Sequence, residues 1–358
     1  MTSPRYIRSL HVIALLTATA TFPLIFMGGL VTSHGAGMSV PDWPNSYGYN
    51  MFLFPPRLWI GGILYEHTHR LMGTAVGMLS IALAFWAWRV ERRRWVRWLA
   101  TSVLLAVIFQ GVLGGLRVVL VKLDLAIVHA CMAQAFFCLA ALVAVVTSRW
   151  WMEEEYLSCT PNAVHGRRLT AACRVAVIAI YAQLIIGAMM RHYQAGLAVP
   201  DFPLAYGKLI PKTDPASIHT YNQYRAWQLD LPPVTAWQIR LHMGHRIGAI
   251  LVALLVLPVS ALVFLHHRTQ RALLIPASIL LVLIVLQITL GILTVLKRKP
   301  AYIASAHVAV GALTLVTMFI LTVRANRLFP MIKIESTEQF AASPLSSTRK
   351  EHRFLAPS

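Results

Sequence analysis

The chain contains eight long runs of apolar residues, each long enough to cross a membrane as a helix. A bilayer core of about 30 Å needs roughly 20 helical residues at 1.5 Å per residue. The apolar residues form continuous runs, and 57% of the 358 residues are hydrophobic while 13% are charged. This composition predicts an all-α membrane protein. The predicted spans are 11–33, 60–88, 98–116, 125–148, 172–190, 238–264, 272–296 and 303–324.

The formal net charge of +19 does not indicate nucleic acid binding, because its distribution fits a membrane protein. With both termini inside, the inner segments are richer in Lys and Arg than the outer loops, as the positive-inside rule predicts. The excess charge then suits contact with anionic membrane lipid. The inner arginines include Arg5, Arg8, Arg89, Arg92, Arg93, Arg94, Arg97, Arg149, Arg167, Arg168, Arg174, Arg268, Arg271, Arg324 and Arg327.

The four cysteines do not indicate a disulfide framework. Cys131 and Cys138 lie on one predicted helix, roughly 10 Å apart along its axis. This separation is too large for a disulfide. Cys159 and Cys173 flank the central inner loop, where thiols stay reduced. We expect structural roles for all four.

The chain repeats itself. Residues 28–48 match 187–207 without a gap, His69-Arg70 aligns with His245-Arg246, and His129 aligns with His307. Each half therefore has four helices, and since four is even, both halves have the same orientation. We predict two tandem, pseudo-symmetric four-helix bundles. Their bounds are 1–148 for the first bundle, 149–171 for a cytoplasmic linker, 172–325 for the second bundle, and 326–358 for a basic, disordered tail.

The repeated segment has the pattern G-[ML]-[SA]-V-P-D-[WF]-P-x-x-Y-G and lies just outside the first and fifth helices. Its Pro and Gly residues predict a rigid loop with tight turns. Two interpretations stay open for this loop. Its aromatic residues suit an interfacial belt, or it covers whatever the nearby histidines hold.

Four histidines lie near the starts of four different helices, at similar depth in the outer third of the membrane: His69, His129, His245 and His307. An ionisable residue inside a membrane is costly unless a partner holds it. One such His is explained by a helix–helix hydrogen bond, but four in two matched pairs favour a bound metal or haem. Two imidazoles on facing helices can supply the axial ligands of a haem iron. A zinc or copper site is the other alternative, although it usually shows more closely spaced ligands or Cys.

The two halves differ at one position beside these histidines. Glu66 lies three residues before His69 on the same helical face, whereas His242 holds the matching position in the second half. Glu66 is a candidate proton acceptor, or it forms a salt bridge with Arg70 one turn further on. Arg70 and Arg246 follow their histidines directly. They are candidate partners for haem propionates, or they extend towards the membrane surface. The four other histidines considered, His34, His192, His266 and His267, suit surface positions.

These residues together resemble haem A synthase. The resemblance rests on Glu66-His67-Thr68-His69-Arg70, the repeated P-D-W and P-D-F loops, Gln110 to Gly115 in the third helix, and the second-half matches. It runs from about 10 to 325. It implies two four-helix bundles and an enzyme that converts haem O to haem A, for cytochrome oxidase assembly. In that reaction the C8 methyl of the porphyrin is hydroxylated twice, and the diol loses water to leave a formyl group.

The resemblance also implies separate roles for the two halves. His69 and His129 would hold the substrate haem O, while His245 and His307 would bind a haem B cofactor that moves electrons. Glu66 would be the essential acid near the reacting methyl. The implied location is a bacterial cytoplasmic membrane, with the haem sites near the outer face. Haem O synthase, cytochrome oxidase assembly factors and a second copy of the chain are candidate partners.

Two other functions fit parts of the sequence. A di-haem b-type electron carrier would use both His pairs, but it has little need for a carboxylate beside one haem only. A transporter with a pseudo-symmetric core would have broken helices with polar residues near the membrane midplane. The polar residues here cluster near the outer third instead, which argues against a transporter.

Overall fold

The computed structural model describes residues 6–152 and 163–330, and this part of the chain is helical with only isolated β-bridges. It contains eight helices long and apolar enough to cross a membrane. The prediction of an all-α, multi-pass membrane protein is confirmed. The eight helices are α1 (Arg8–Ser33), α2 (Gly62–Val90), α3 (Arg94–Leu120), α4 (Leu123–Val146), α5 (Ala163–His192), α6 (Ala236–His266), α7 (Arg271–Leu296) and α8 (Ala301–Leu328).

Two helices extend well beyond the apolar runs that predicted them. The third span was expected at 98–116, yet α3 runs from Arg94 to Leu120. The fifth was expected from 172, yet α5 begins at Ala163, inside the predicted linker 149–171. Hydropathy marks only the part of a helix that lipid surrounds, whereas backbone hydrogen bonds continue the helix into the polar segment beside it.

Parts of the predicted linker and tail lie outside the described residues. The linker contains a helical turn at Arg149–Met152, and its residues 153–162 are not described. Of the predicted tail 326–358, the structure describes only the end of α8 and the residues up to 330. Cys159 also lies outside the described part. The other three cysteines are free thiols, as predicted.

Each half closes into a ring of four helices. In the first half α1 and α3 both pack against α2 and α4, and in the second half α5 and α7 both pack against α6 and α8. The halves meet where α8 contacts α1 and α4, and where α4 contacts α5. This arrangement is compatible with the predicted tandem, pseudo-symmetric bundles.

Apolar side chains fill the centre of each ring and also cover its outside, as expected for helices in lipid. Leu83 and Val103 lie in the core of the first half, and Val256 and Leu280 in that of the second. Between the halves a smaller cluster contains Ile25, Phe137, Ala141, Ala312 and Val316. Because lipid is as apolar as these side chains, close packing and interhelical hydrogen bonds hold such helices together.

Polar contacts also join the two halves at the loop-bearing end of the bundle. The Arg191 guanidinium on α5 donates hydrogen bonds to the Gly29 carbonyl and the Ser33 hydroxyl on α1. The Ser33 hydroxyl in turn lies 3.0 Å from the Ser305 hydroxyl on α8. Arg191 of the second half therefore links the two halves by hydrogen bonds.

Two histidines expected at the surface lie elsewhere. His267, at the end of α6, is buried, and its ring centroid lies 4.9 Å from that of Phe329. His192 is half-buried within the last turn of α5 rather than in a loop. Neither position is predictable from the local sequence, because the residues that bury these two side chains come from other parts of the chain.

The longer outer loop of the second half has structure of its own. It contains a helix at Pro215–Tyr224, capped by Asp214, whose carboxylate accepts a 3.0 Å hydrogen bond from the Ser217 amide. Next to that helix the buried Arg225 donates to the carbonyls of Leu197 (2.7 Å) and Pro232 (2.8 Å). The extra segment is thus fastened to the repeated loop beside it.

Candidate functional site

The two repeated loops have the same internal hydrogen bonds. The Asp42 carboxylate accepts from the amides of Tyr47 (2.7 Å) and Gly48 (2.8 Å). In the second loop Asp201 accepts from Tyr206 (2.8 Å) and Gly207 (3.1 Å). The two glycines have φ of 76° and 74°, in the left-handed region that glycine adopts readily. The recurring Asp, Tyr and Gly are therefore the residues that shape the loop.

An arginine fastens each loop to the helix that carries a key histidine. Arg70 donates to the carbonyls of Val40 (2.7 Å), Asp42 (2.7 Å) and Asn45 (2.9 Å). Arg246 donates to the matching carbonyls of Val199 (3.3 Å), Asp201 (2.6 Å) and Leu204 (3.0 Å). Both guanidinium groups thus hold loop backbone in place. Their predicted role in binding propionates stays a prediction, and most of their donors are already used.

Glu66 is buried and held by two donors. One carboxylate oxygen accepts from the Val40 amide at 2.9 Å, and the other pairs with Arg70 at 3.1 Å. The salt bridge considered from the sequence is therefore present, and the carboxylate also bonds the loop backbone. In the second half, His242 is buried at the matching place and its Nδ1 lies 3.0 Å from the Ala195 carbonyl oxygen. Each loop is thus bonded to its helix here, through a buried carboxylate in the first half and a buried imidazole in the second.

Each of the four predicted ligand histidines packs against a glycine of a neighbouring helix. The ring carbon Cε1 approaches within 3.1–3.3 Å of the point where a Cβ atom would lie on that glycine. A side chain there would displace the imidazole, so the ring position depends on the missing Cβ. The pairs are His69 with Gly28, His129 with Gly114, His245 with Gly187, and His307 with Gly291.

The second-half pair faces across a gap that suits a metal ion. The ring centroids of His245 and His307 are 6.2 Å apart, with 71° between the ring planes. Two metal–nitrogen bonds of about 2 Å each fit into such a separation. The Nδ1 of His307 lies 3.1 Å from the Gln287 carbonyl oxygen, which can only accept a hydrogen bond. Nδ1 therefore carries the proton, and Nε2 is left with a free lone pair for a metal.

A glutamine also contacts the second-half pair. The Gln183 side-chain nitrogen lies 3.0 Å from Nδ1 of His245 and donates to the His245 carbonyl at 2.8 Å. The matching position of the first half is Leu24, which has no polar side chain. The second-half imidazoles are thus held by hydrogen bonds on both sides.

The first-half pair has fewer hydrogen bonds. His69 and His129 are close enough to interact electrostatically, and each ring faces a backbone group, Leu24 for His69 and Gln110 for His129, in a weaker contact than the hydrogen bond of His307 with Gln287. The Gln110 side chain also donates to the backbone carbonyl of His129 at 3.2 Å. The looser pair is the one beside Glu66.

The ligand set of each pair argues for haem over a bare metal ion. Within 6–152 and 163–330, no group of three or more His, Cys, Asp or Glu side chains could hold a metal ion. A protein zinc site needs three or four such ligands. A haem iron needs only axial ligands, because the porphyrin supplies the rest. Two histidines per half are therefore sufficient for haem and too few for zinc.

Some site residues were not recognised from the sequence. The repeated glycines were visible as matches, but the sequence does not say that a histidine packs on them. Gln183 has no counterpart in the first half, so the repeat could not reveal it. Arg117, near the end of α3, had no pattern that distinguished it from an arginine at a membrane surface.

Comparison with known proteins identifies the family of this chain. A family model described as "Cytochrome oxidase assembly protein" matches residues 62–319. A haem A synthase of Halalkalibacterium halodurans is 30% identical over 320 residues, which cover 87% of this chain and 95% of that protein. A haem A synthase of Shouchella clausii is 28% identical over 295 residues, covering 81% of this chain and 87% of its own length. The chain therefore belongs to the haem A synthase family of cytochrome oxidase assembly proteins.

Proposed function

We propose that this membrane protein is an oxidoreductase of haem A synthesis that oxidises the C8 methyl of haem O to a formyl group. Two successive hydroxylations convert the methyl to a diol, which then loses water. The relatives named as haem A synthases support the reaction. The single observation that carries the proposal is a matched His pair in each half, with a buried carboxylate beside only one of them.

The first half takes the substrate. His69 and His129 hold the iron of haem O, and the glycines packed on their rings fix where each imidazole lies. The weaker backbone contacts of these two rings suit a site that must bind and release its ligand, because fewer full hydrogen bonds hold the rings. The loop 34–61, fastened by Arg70, covers this end of the bundle and limits the access of water to the site.

The second half takes a resident cofactor. His245 and His307 bind haem B, which supplies one-electron transfer when bound. The contact of the Gln183 side chain with the His245 ring, and the hydrogen bond between the His307 ring and the Gln287 carbonyl, hold these two rings in fixed orientations. Fixed second-shell partners are typical of a permanent metal site. The absence of a carboxylate at His242 suits a site that transfers electrons without moving a proton to or from a substrate.

Glu66 is the acid–base residue of the first half. Its carboxylate lies one helical turn before His69 on the same face of α2. Each carboxylate oxygen has a single strong donor, so each retains a lone pair that can accept the proton of one diol hydroxyl and return it to the other hydroxyl, which leaves as water. Arg70 keeps the carboxylate in place while it does so.

The location and partners follow from the same assignment. Both His pairs lie at the end of the bundle that carries the repeated loops, which we place at the outer face with both termini inside. Haem O arrives from the enzyme that makes it, so haem O synthase and cytochrome oxidase assembly factors are the expected partners. A homo-oligomer is a further expected assembly.

The test is an analysis of bound haems. The protein would be purified from cells that supply haem O but lack their own haem A synthase, and its extracted haems identified by chromatography and mass. Haem A or its hydroxylated intermediate together with haem B would support the proposal. Haem B alone, at two per chain, would instead support the di-haem electron carrier.

A further inference from the structure

Arg117 is a half-buried cation that has no ion-pair partner among the described residues. It lies near the end of α3, and its guanidinium packs so closely on Gly37 that a side chain there would overlap it. Within the described residues the ion pairs are Glu66 with Arg70 and Glu91 with Arg93. Among these residues Arg117 makes neither an ion pair nor a hydrogen bond, although arginine has five N–H donors.

The surroundings of Arg117 are more positive than negative. Arg117 interacts electrostatically with His69 and His129 of the first-half pair. It also interacts with His192, in the last turn of α5. Arg191, another cation, also interacts with His192. Within the described part of the chain, Glu66 is the carboxylate that interacts with Arg117, and its two oxygens are already held by Val40 and Arg70.

An unpaired guanidinium in such a place is unfavourable unless a ligand brings the missing negative charge. Haem O has two propionate carboxylates on one edge of the porphyrin, and arginine binds a carboxylate through two parallel hydrogen bonds. Arg70 and Arg246, the arginines suggested by the sequence, have most of their donors on loop carbonyls. The donors of Arg117 have no acceptor among the described residues.

We infer that Arg117 binds a propionate of haem O and so sets which edge of the substrate faces Glu66. This inference rests on the proposed function. On the porphyrin ring the C8 methyl is the neighbour of one propionate. A propionate held by Arg117 therefore places the reacting methyl on the side of the site where Glu66 lies, since Arg117 and Glu66 interact. Arg117 is thus a positioning residue that turns the propionate-bearing edge of the porphyrin, which includes the C8 methyl, towards Glu66.

The experiment compares haem O with its dimethyl ester, in which both propionates are neutral. Protein would be purified from cells that lack haem O, and each compound titrated while the Soret band is followed. The wild-type protein should bind the diacid about 10- to 100-fold more tightly than the ester, the range expected for a charge-assisted hydrogen bond. Arg117→Gln should lose most of this difference, and Arg117→Lys should keep part of it.

Controls separate this inference from the proposed function. Arg94→Gln changes an exposed arginine at the other end of α3 and should behave like the wild type. Bound haem B in the second half reports that each variant is folded. If wild-type protein binds the ester as tightly as the diacid, or Arg117→Gln weakens both equally, Arg117 does not bind a propionate. If wild-type protein binds haem O in neither form, the proposed function itself fails.

Discussion

The Cε1 atom of His69 lies 3.1 Å from the point that a Cβ atom would occupy on Gly28. A contact this short leaves no room for a methyl group unless the imidazole moves. The same relationship holds for Gly187 and His245, which occupy the matching positions of the second half. Gly28 of α1 and Gly187 of α5 therefore provide the space in which the two histidine rings pack.

Gly28→Ala should displace His69 and weaken binding of haem O by about 10- to 100-fold, as expected when the support of a metal ligand is lost. The measurement is a Soret titration with haem O. Gly77→Ala is the matched control, because no other atom lies within 4 Å of the Cβ position at Gly77 on α2. Equal binding by Gly28→Ala and the wild type would show that the ring tolerates the methyl.

Gln183→Leu gives the second half the residue that the first half has at Leu24. We expect about tenfold weaker retention of haem B, because the amide that contacts the His245 ring is lost. Haem content after dialysis in detergent measures this. The first-half site is an internal control and should keep its affinity for haem O. Unchanged haem B would mean that Gln183 does not support the ligand.

Glu66→Gln should leave both haem sites able to bind yet lower haem A formation by at least about 100-fold, the usual lower range for a lost general acid or base. The Gln side chain can still accept the Val40 hydrogen bond, so the loop should remain in place. Glu91→Gln is the matched control, since Glu91 is also buried and paired with an arginine, at 2.8 Å. Activity that survives in Glu66→Gln would remove Glu66 from the chemistry.

Arg246→Met should release the second loop, because it removes three hydrogen bonds to backbone carbonyls. We expect the free energy of unfolding to fall by about 1–3 kcal/mol. This is less than the sum for three charged hydrogen bonds, because water forms hydrogen bonds with the released carbonyls in the variant. Thermal unfolding in detergent measures it, with the exposed Arg57→Gln as control. A midpoint equal to that of Arg57→Gln would contradict the loop-fastening role.

The loop around Asp42 should be stable at neutral pH and weaken in acid. Burial raises the pKa of Asp42, but the amides of Gly48 and Tyr47 and the charge of Arg70 outweigh it, so the pKa falls below its usual 3.8. A lowered folded-state pKa means that the carboxylate stabilises the fold above pH 3.8 and that this contribution is lost as pH falls through the folded-state value. The midpoints of thermal unfolding of the wild type and of Asp42→Asn should therefore become equal once the pH is below the folded-state pKa of Asp42. A constant difference between them would exclude this titration.

The membrane architecture was predictable because continuous apolar runs have a simple physical cause. Eight spans, the tandem repeat and the four histidines at helix starts all follow from the sequence, and the structure has the helices where these runs lie. The ends of α3 and α5 were not predictable from hydropathy, since both helices continue into polar residues.

The partners of the site residues were less predictable than the residues themselves. Glu66 was recognised, and its salt bridge with Arg70 was weighed, because both lie on one helix. The bond from the Val40 amide to Glu66, and the contacts of Arg70 with three loop carbonyls, depend on how the loop folds back onto α2. The contacts between the glycines and the histidine rings likewise join residues of different helices, and no local sequence pattern predicts such contacts.

The most direct test of the two-site account is to remove one ligand from each half and identify the haems that remain. His129→Ala and His307→Ala would each be purified from cells that supply haem O but lack their own haem A synthase. His129→Ala should lose haem O and haem A yet keep haem B, whereas His307→Ala should lose haem B and keep haem O. Loss of the same haem from both variants would contradict the assignment of separate haems to the two halves.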